Sequence, residues 1–133
     1  MAVNLLIVDD SSVMRSMIAK TVAMSGLKVG EIHQAANGQE GLEQLGNHWI
    51  DLVLVDINMP VMNGEEMIRQ MKQDPALRDT PIIVVSTEGS SQRIDNLLVQ
   101  GVKFIHKPFS PELFRDTVKT LIGEGVINED QNP

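Results

Sequence analysis

The sequence has no cysteine. A disulfide scaffold, a thiolate zinc site and a cysteine nucleophile are therefore excluded, and such a composition is typical of a reducing compartment. Apolar runs are also short, whereas a membrane-spanning helix needs about 20 consecutive apolar residues. The first residues, Met1 to Asn4, lack the basic stretch with which a signal peptide begins. We therefore expect a cytoplasmic protein without a membrane partner.

The chain has fewer basic than acidic residues. The chain has 11 Lys and Arg against 18 Asp and Glu, a net charge of -7, and its basic residues form no cluster. Nucleic-acid binding usually needs a basic patch, so we expect no nucleic-acid partner. Apolar residues make up 42% of the 133 positions, which is enough for the core of one domain. We expect that domain to be monomeric.

Five short segments predict β-strands. Three of them are continuously apolar and rich in β-branched residues, as strands buried on both faces usually are. The other two give weaker signals. The predicted strands are residues 5–8, 31–35, 52–55, 82–85 and 103–106.

Five helices are predicted between and after these strands. Asn37, Asn63 and Ser110 are expected N-caps, and Gly101 is expected to end the fourth helix. Apolar residues at helical spacing predict the face that each helix buries. On the first helix these are Met14, Met17, Ile18, Thr21 and Val22; on the last they are Leu113, Phe114, Thr117, Val118, Leu121 and Ile122.

The strict alternation of strands and helices predicts an α/β fold. It implies a doubly wound, five-stranded parallel sheet in a three-layer sandwich, with helices on both faces and right-handed crossovers. We expect the domain to span residues 1–124. The polar segment 125–133 has no periodicity and is expected to be a flexible C-terminal tail.

Polar side chains stand where the predicted strands end, and ligands of open α/β sheets bind beyond the carboxyl ends of the strands. Parallel strands would bring these residues into one crevice. They are Asp9 and Asp10 after the first strand, Asp56 after the third, Ser86 and Thr87 after the fourth, and Lys107 after the fifth.

Three carboxylates in one crevice repel each other, by about 4 kcal/mol for two charges 4 Å apart at an effective dielectric constant of 20. A divalent cation, Lys107 or protonation would relieve the repulsion. Oxygen ligands without histidine or cysteine favour Mg²⁺, and an aspartate beside Mg²⁺ and a lysine can accept a phosphoryl group. Each aspartate could instead cap a helix; for Asp9, Ser11 or Ser12 could take that role.

These residues resemble the receiver domain of two-component response regulators, and within that family the stand-alone chemotaxis regulators of the CheY type. The resemblance covers about residues 4–123 and implies a flavodoxin-like sandwich. The matching blocks are Leu6 to Asp10, Asp56 to Pro60 with Gly64, Val85-Ser86, and Lys107-Pro108-Phe109.

The resemblance implies a role for each residue of the acidic crevice. Asp56 would be the phosphoryl acceptor, forming an aspartyl phosphate. Asp10 would bind Mg²⁺ directly, Asp9 through water, Asp56 through its carboxylate and Asn58 through its backbone carbonyl. Lys107 would pair with the phosphoryl group.

The resemblance also implies a conformational switch. Ser86 would hydrogen-bond the phosphoryl group, and Phe104 would be the coupled aromatic residue; without a hydroxyl, it would act through packing alone. A cis peptide bond is expected at Lys107-Pro108. The output face would be the fourth helix, fifth strand and fifth helix, with Arg93, Asn96, Lys103 and His106 as candidate contacts.

Two residues are expected to tune the phosphoryl lifetime, because they occupy family positions with that influence. They are Asn58, two residues after Asp56, and Glu88, two residues after Ser86. Both match regulators with fast turnover, so we expect a short lifetime. The chain departs from the family at Gly89, Ser90 and Ser91, where relatives tend to have Ala and Lys. Gly89 would weaken the fourth helix by about 1 kcal/mol if it were helical.

The implied function is a phospho-accepting switch rather than a conventional enzyme. The implied partners are a sensor histidine kinase like CheA as donor, a target such as the flagellar motor switch, and a phosphatase. Control of a kinase, a phosphate sink and a non-flagellar pathway stay open. One alternative is a small Mg²⁺-dependent phosphohydrolase with an aspartate nucleophile, although Asn58 cannot supply its general acid. Another is a receiver from a longer transcription regulator, against which Met1 and the polar tail argue.

Overall fold

The computed structural model describes residues 2–128. Five strands alternate with five α-helices, as the sequence predicts, and a short 3₁₀ helix follows the last of them. The strands are β1 (Val3–Val8), β2 (Val29–Ala35), β3 (Leu52–Val55), β4 (Ile82–Ser86) and β5 (Lys103–His106). The helices are α1 (Ser12–Met24), α2 (Gly38–Asn47), α3 (Gly64–Gln73), α4 (Ser91–Leu98) and α5 (Pro111–Leu121).

The strands form one parallel sheet in the order β2-β1-β3-β4-β5. The strand order reverses between β1 and β3, the position at which open α/β sheets bind ligands. Val8 pairs with Val55, and Ser86 pairs with His106. The residues that follow these strands therefore emerge side by side at one edge of the sheet. The predicted α/β fold is confirmed.

Two hydrophobic clusters lie on opposite faces of the sheet and make the three layers. The first joins the sheet to α1 and α5, which contribute Ile18, Val22, Phe114 and Val118. The second joins it to α2, α3 and α4, which contribute Leu45, Met67, Ile68, Met71 and Leu97.

Each of the five α-helices begins at a side-chain cap. The predicted caps Asn37, Asn63 and Ser110 are confirmed, and Ser11 and Ser90 cap α1 and α4. Because α4 begins after Ser90, the predicted cost of Gly89 in a helix does not apply. Within residues 2–128, no helix is long and apolar enough to cross a bilayer.

Two residues of the predicted buried faces are exposed. Met17 is 54% exposed and Leu113 is 47% exposed. Each precedes a buried pair four residues apart, Ile18 with Val22 and Phe114 with Val118. One residue turns the helix by about 100°, which takes these side chains to the flank of the helix. The buried faces are therefore narrower than the sequence predicts.

The prediction of a loose tail is wrong for residues 125–128. Val126 and Ile127 are buried in the first hydrophobic cluster, and Ile127 forms an antiparallel bridge with Leu27. The Lys28 N–H donates to the Val126 carbonyl at 2.7 Å. The two apolar side chains cover the end of the core beside α1, where water would otherwise reach it. The rest of the predicted tail, residues 129–133, lies outside the described residues.

Candidate functional site

An acidic pocket lies at the carboxyl edge of the sheet. Asp9, Asp10 and Asp56 each offer a carboxylate oxygen within 4.8 Å of the others. Asp9 and Asp10 follow β1, and Asp56 follows β3. The structure thus brings together the three aspartates that the sequence places at neighbouring strand ends.

Lys107, which follows β5, reaches across β4 into this pocket. Its Nζ donates to Asp9 Oδ2 at 2.8 Å and to Asp56 Oδ2 at 3.0 Å. Its side chain is 9% exposed. Burial lowers the pKa of Lys107, but its hydrogen bonds and ion pairs with Asp9 and Asp56 outweigh burial and raise the pKa above its ordinary value. Lys107 is therefore a fixed cation between two carboxylates.

Asp9 belongs to the pocket and does not cap α1. The N-cap is Ser11, whose Oγ accepts from the Met14 N–H at 3.2 Å. Asp9 Oδ1 accepts from the Ser11 N–H at 2.9 Å, which fixes the carboxylate while Oδ2 meets Lys107. Arg15 Nη1 donates to the Asp9 backbone carbonyl at 2.6 Å. No sequence pattern indicates this role for Arg15, which lies one turn into α1.

Asp56 is held by its neighbours in the sheet and in the following loop. Its backbone N–H donates to the Val8 carbonyl at 2.9 Å, which extends the pairing of β3 with β1. Its Oδ1 accepts from the Ile57 N–H at 2.7 Å. The Gly64 N–H donates to the Ile57 carbonyl at 2.8 Å, which draws the start of α3 against this turn. Oδ2 of Asp56 therefore faces Lys107 in a fixed orientation.

Ser86 and Phe104 lie on adjacent strands, β4 and β5. Ser86 is 1% exposed, and its Oγ accepts from the Glu88 N–H at 3.1 Å. Phe104 is half-buried against the second hydrophobic cluster and meets His106 edge to face, with ring centroids 4.7 Å apart. The Lys107-Pro108 peptide bond is cis, as predicted.

Arg93 on α4 joins three polar residues beside the pocket. Its guanidinium donates to Glu88, to Glu65 and, at 3.2 Å, to Asn58 Oδ1. The pKa of Glu88 is lowered, first by the backbone N–H of Ser90 and also by the charge of Arg93, against the opposing effect of burial. We call Arg93, Asn58, Glu65 and Glu88 the Arg93 network. From the sequence, Arg93 is expected only on the output face.

The donor set suits a hard cation. Carboxylate oxygens from Asp9, Asp10 and Asp56 converge, and neither nitrogen nor sulfur ligands take part. Among residues 2–128 no other group of three or more histidines and carboxylates could hold a metal. His33 and His48 stack with ring centroids 3.9 Å apart, a contact that the sequence analysis missed, but they form no such group.

The sequence and the fold of this chain are similar to those of known proteins. A family model described as the response regulator receiver domain matches residues 5–119. Chemotaxis protein CheY1 of Helicobacter pylori is 34% identical over 122 residues, 90% of this chain and 97% of that protein. The structure of CheY4 of Vibrio cholerae matches with a TM-score of 0.79 at 30% identity, covering 92% of this chain and 100% of that chain.

A CheX–CheY–BeF3–Mg²⁺ complex from Borrelia burgdorferi also matches, with a TM-score of 0.79 at 28% identity over 89% of this chain and 87% of that chain. The family model spans most of this chain, and the relatives are matched over most of their own length. The chain therefore belongs to the family of response regulator receiver domains and is of the CheY type that serves in chemotaxis.

Proposed function

We propose that this protein accepts a phosphoryl group on Asp56 from the histidine of a sensor kinase similar to CheA, in a reaction that depends on Mg²⁺. The observation that carries the proposal is the placement of Lys107 Nζ between Asp9 and Asp56, with Asp10 in the same pocket. A cation held beside an ionised aspartate can stabilise the negative oxygens of an incoming phosphoryl group.

A carboxylate oxygen of Asp56 attacks the phosphorus atom as the phosphorus–nitrogen bond to the donor histidine breaks. The imidazole retains the electron pair of that bond and takes up a proton, and Asp56 becomes an aspartyl phosphate. Asp9, Asp10, Asp56 and the backbone carbonyl of Asn58 would hold Mg²⁺, which would supply charge neutralisation for the transferring oxygens. Lys107 moves its hydrogen bond from Asp56 to the phosphoryl group.

Phosphorylation then alters the face formed by α4, β5 and α5. The Ser86 hydroxyl turns to the phosphoryl group, and half-buried Phe104 repacks beside it. This face carries large exposed apolar side chains, Leu98 at 43%, Val99 at 85% and Leu113 at 47%. Together with Arg93, Asn96, Lys103 and His106, they supply a surface for a target such as the flagellar motor switch.

The protein acts as a monomeric switch in the cytoplasm, and its chemistry is limited to its own phosphorylation and dephosphorylation. Asn58 and Glu88 make the phosphoryl lifetime short, their contacts with Arg93 limit that effect, and a phosphatase shortens the lifetime further. The domain extends past residue 124, because Val126 and Ile127 pack into its first hydrophobic cluster. A phosphohydrolase that turns over a small substrate is the competing function, but the aspartate pattern lacks its second acid because Asn58 takes that position.

The experiment is incubation with acetyl phosphate and Mg²⁺, followed by intact mass, with Asp56→Asn as the matched variant. We expect one labile phosphoryl group on the native protein, lost when Mg²⁺ is chelated beforehand and absent from Asp56→Asn. Labelling of both proteins would place the acceptor elsewhere. Sustained release of phosphate without a labelled protein would favour the phosphohydrolase.

A further inference from the structure

The Arg93 network crosses from α4 to the loop that follows β3. Arg93 lies on the first turn of α4, and the Asn58 that it contacts lies 35 residues earlier in the chain. Glu65, on the first turn of α3, binds the same guanidinium. One side chain therefore joins the beginnings of two helices and both loops beside the acidic pocket.

The two loop residues of the network, Asn58 and Glu88, each lie two positions after a residue of the proposed phosphorylation site. Asn58 lies two residues after Asp56. Glu88 lies two residues after Ser86, and its backbone N–H donates to Ser86 Oγ at 3.1 Å. The Glu88 carboxylate is held at both oxygens, by Arg93 and by the Ser90 N–H at 3.0 Å. A displacement of Arg93 would thus remove the hydrogen bond at Asn58 Oδ1 and one of the two that hold the Glu88 carboxylate.

We propose that Arg93 is a positioning residue that holds Asn58 and Glu88 at the rim of the acidic pocket and thereby slows the loss of the phosphoryl group to water. This inference rests on the proposed phosphorylation of Asp56. The guanidinium suits the role because its planar donors can meet several acceptors at once, which a lysine ammonium on a flexible stem cannot do with the same geometry.

Arg93 has a second effect that depends on charge alone. It is a cation between Glu65 and Glu88, beside a pocket with three more carboxylates. Removing it makes the rim more negative, which disfavours the approach of an anionic donor such as acetyl phosphate. Charge therefore governs phosphoryl uptake, whereas the fixed geometry governs phosphoryl loss.

The test compares Arg93→Ala and Arg93→Lys, with uptake from acetyl phosphate and loss after donor removal measured separately. We expect both variants to lose the phosphoryl group about threefold faster or more, the scale of coupling between residues in direct contact. Uptake is expected to slow in Arg93→Ala and to stay near the native rate in Arg93→Lys. In a Glu88→Ala background, replacement of Arg93 should change the loss rate far less.

Arg69→Ala is the matched control. Arg69 on α3 is also paired with a glutamate, Glu66, through hydrogen bonds of 2.8 and 2.6 Å, but it takes no part in the network. Its removal changes the net charge equally and should leave both rates unchanged. If either Arg93→Ala or Arg93→Lys lost the phosphoryl group at the native rate, the proposal would be overturned. The hydrogen bonds of the Arg93 network would then have no effect on phosphoryl loss beyond that of charge.

A readout without phosphorylation separates this inference from the proposed function. The side-chain amide of Asn58 should give an NMR signal in the native protein that shifts in both Arg93 variants, because its Oδ1 loses the Arg93 donor. If the native protein accepts no phosphoryl group, the proposed function fails while this signal still reports whether Arg93 positions Asn58. An unchanged Asn58 signal in both variants would overturn the positioning role itself.

Discussion

A Cβ atom built on Gly64 would overlap the backbone carbonyl oxygen of Asp56. No side chain can occupy that space unless the backbone that carries the proposed acceptor moves. We expect Gly64→Ala to lower the free energy of unfolding by about 2 kcal/mol, as overpacking in a tight site does. Urea unfolding measures this change, and phosphoryl uptake should fall with it because Asp56 is displaced.

Gly46→Ala is the control for that substitution. Gly46 lies within α2, and a Cβ atom added there would meet nothing within 4 Å. Alanine at this position should raise the free energy of unfolding by about 0.5–1 kcal/mol, because it favours the helix. Equal stability of the two variants would contradict the close approach of Gly64 to Asp56.

We expect the ion pairs of Lys107 to make the free energy of unfolding depend on pH. The pKa of Lys107 is raised in the folded protein. Its contribution to the free energy of unfolding is therefore complete below the ordinary lysine pKa of about 10.4 and is lost as pH rises through the folded pKa. We expect Lys107→Met to cost about 2 kcal/mol at neutral pH, the loss of hydrogen bonds between charged groups. Urea unfolding of both proteins should show that this difference in the free energy of unfolding shrinks at pH values above the ordinary lysine pKa. A difference that grows there would contradict the assigned ion pairs.

We expect the affinity for Mg²⁺ to depend on Asp10. It contributes a carboxylate to the pocket and is the most exposed of the three aspartates there. We expect Asp10→Asn to weaken Mg²⁺ binding by about tenfold or more, measured by calorimetry. Asp116→Asn makes the same change at an exposed site on α5 and should bind Mg²⁺ as the native protein does. Equal affinities in both variants would remove Asp10 from the ligand set.

Val61 has a φ of 67°, a left-handed conformation that a β-branched residue rarely adopts. It is 84% exposed, so its side chain packs little. We expect Val61→Asn to raise the free energy of unfolding by about 1 kcal/mol, because asparagine tolerates this conformation. Val99→Asn is the matched control: Val99 is 85% exposed with a φ of -66°. A similar gain in thermal stability at both positions would contradict strain at Val61.

Ile127 tests the packing of the segment after α5. It is 4% exposed, so Ile127→Ala should lower the free energy of unfolding by about 2 kcal/mol. Val13, which is 69% exposed on α1, provides the control, and Val13→Ala should change stability little. If thermal melting showed no loss for Ile127→Ala, burial of the Ile127 side chain would contribute nothing to stability.

Much of the fold could be predicted because its signals are local. The apolar strands β1, β3 and β4 are continuous in sequence, and capping residues such as Asn37 and Asn63 mark where helices begin. The ends of parallel strands then bring Asp9, Asp56 and Lys107 together by topology alone. For these elements, local propensity and the global fold agree.

The features that sequence reasoning missed depend on contacts between distant residues. Arg93 meets Asn58 across 35 positions, and no periodicity or motif links the two. Ile127 looks like part of a polar tail until Leu27 is seen beside it. Met17 and Leu113 match the apolar spacing of their helices, but the width of each buried face is set by the sheet beneath it.

The hydrogen bond between Lys107 and Asp9 joins residues that are 98 positions apart. Asp9 and Asp10 leave the ribosome early, whereas β5 and the lysine after it are made near the end of synthesis. A growing chain that ends before β5 therefore lacks the lysine that pairs with the carboxylates of Asp9 and Asp56. Under the proposed function, the ability to accept a phosphoryl group therefore arrives only when the sheet is complete, and unfinished chains would not respond to a donor.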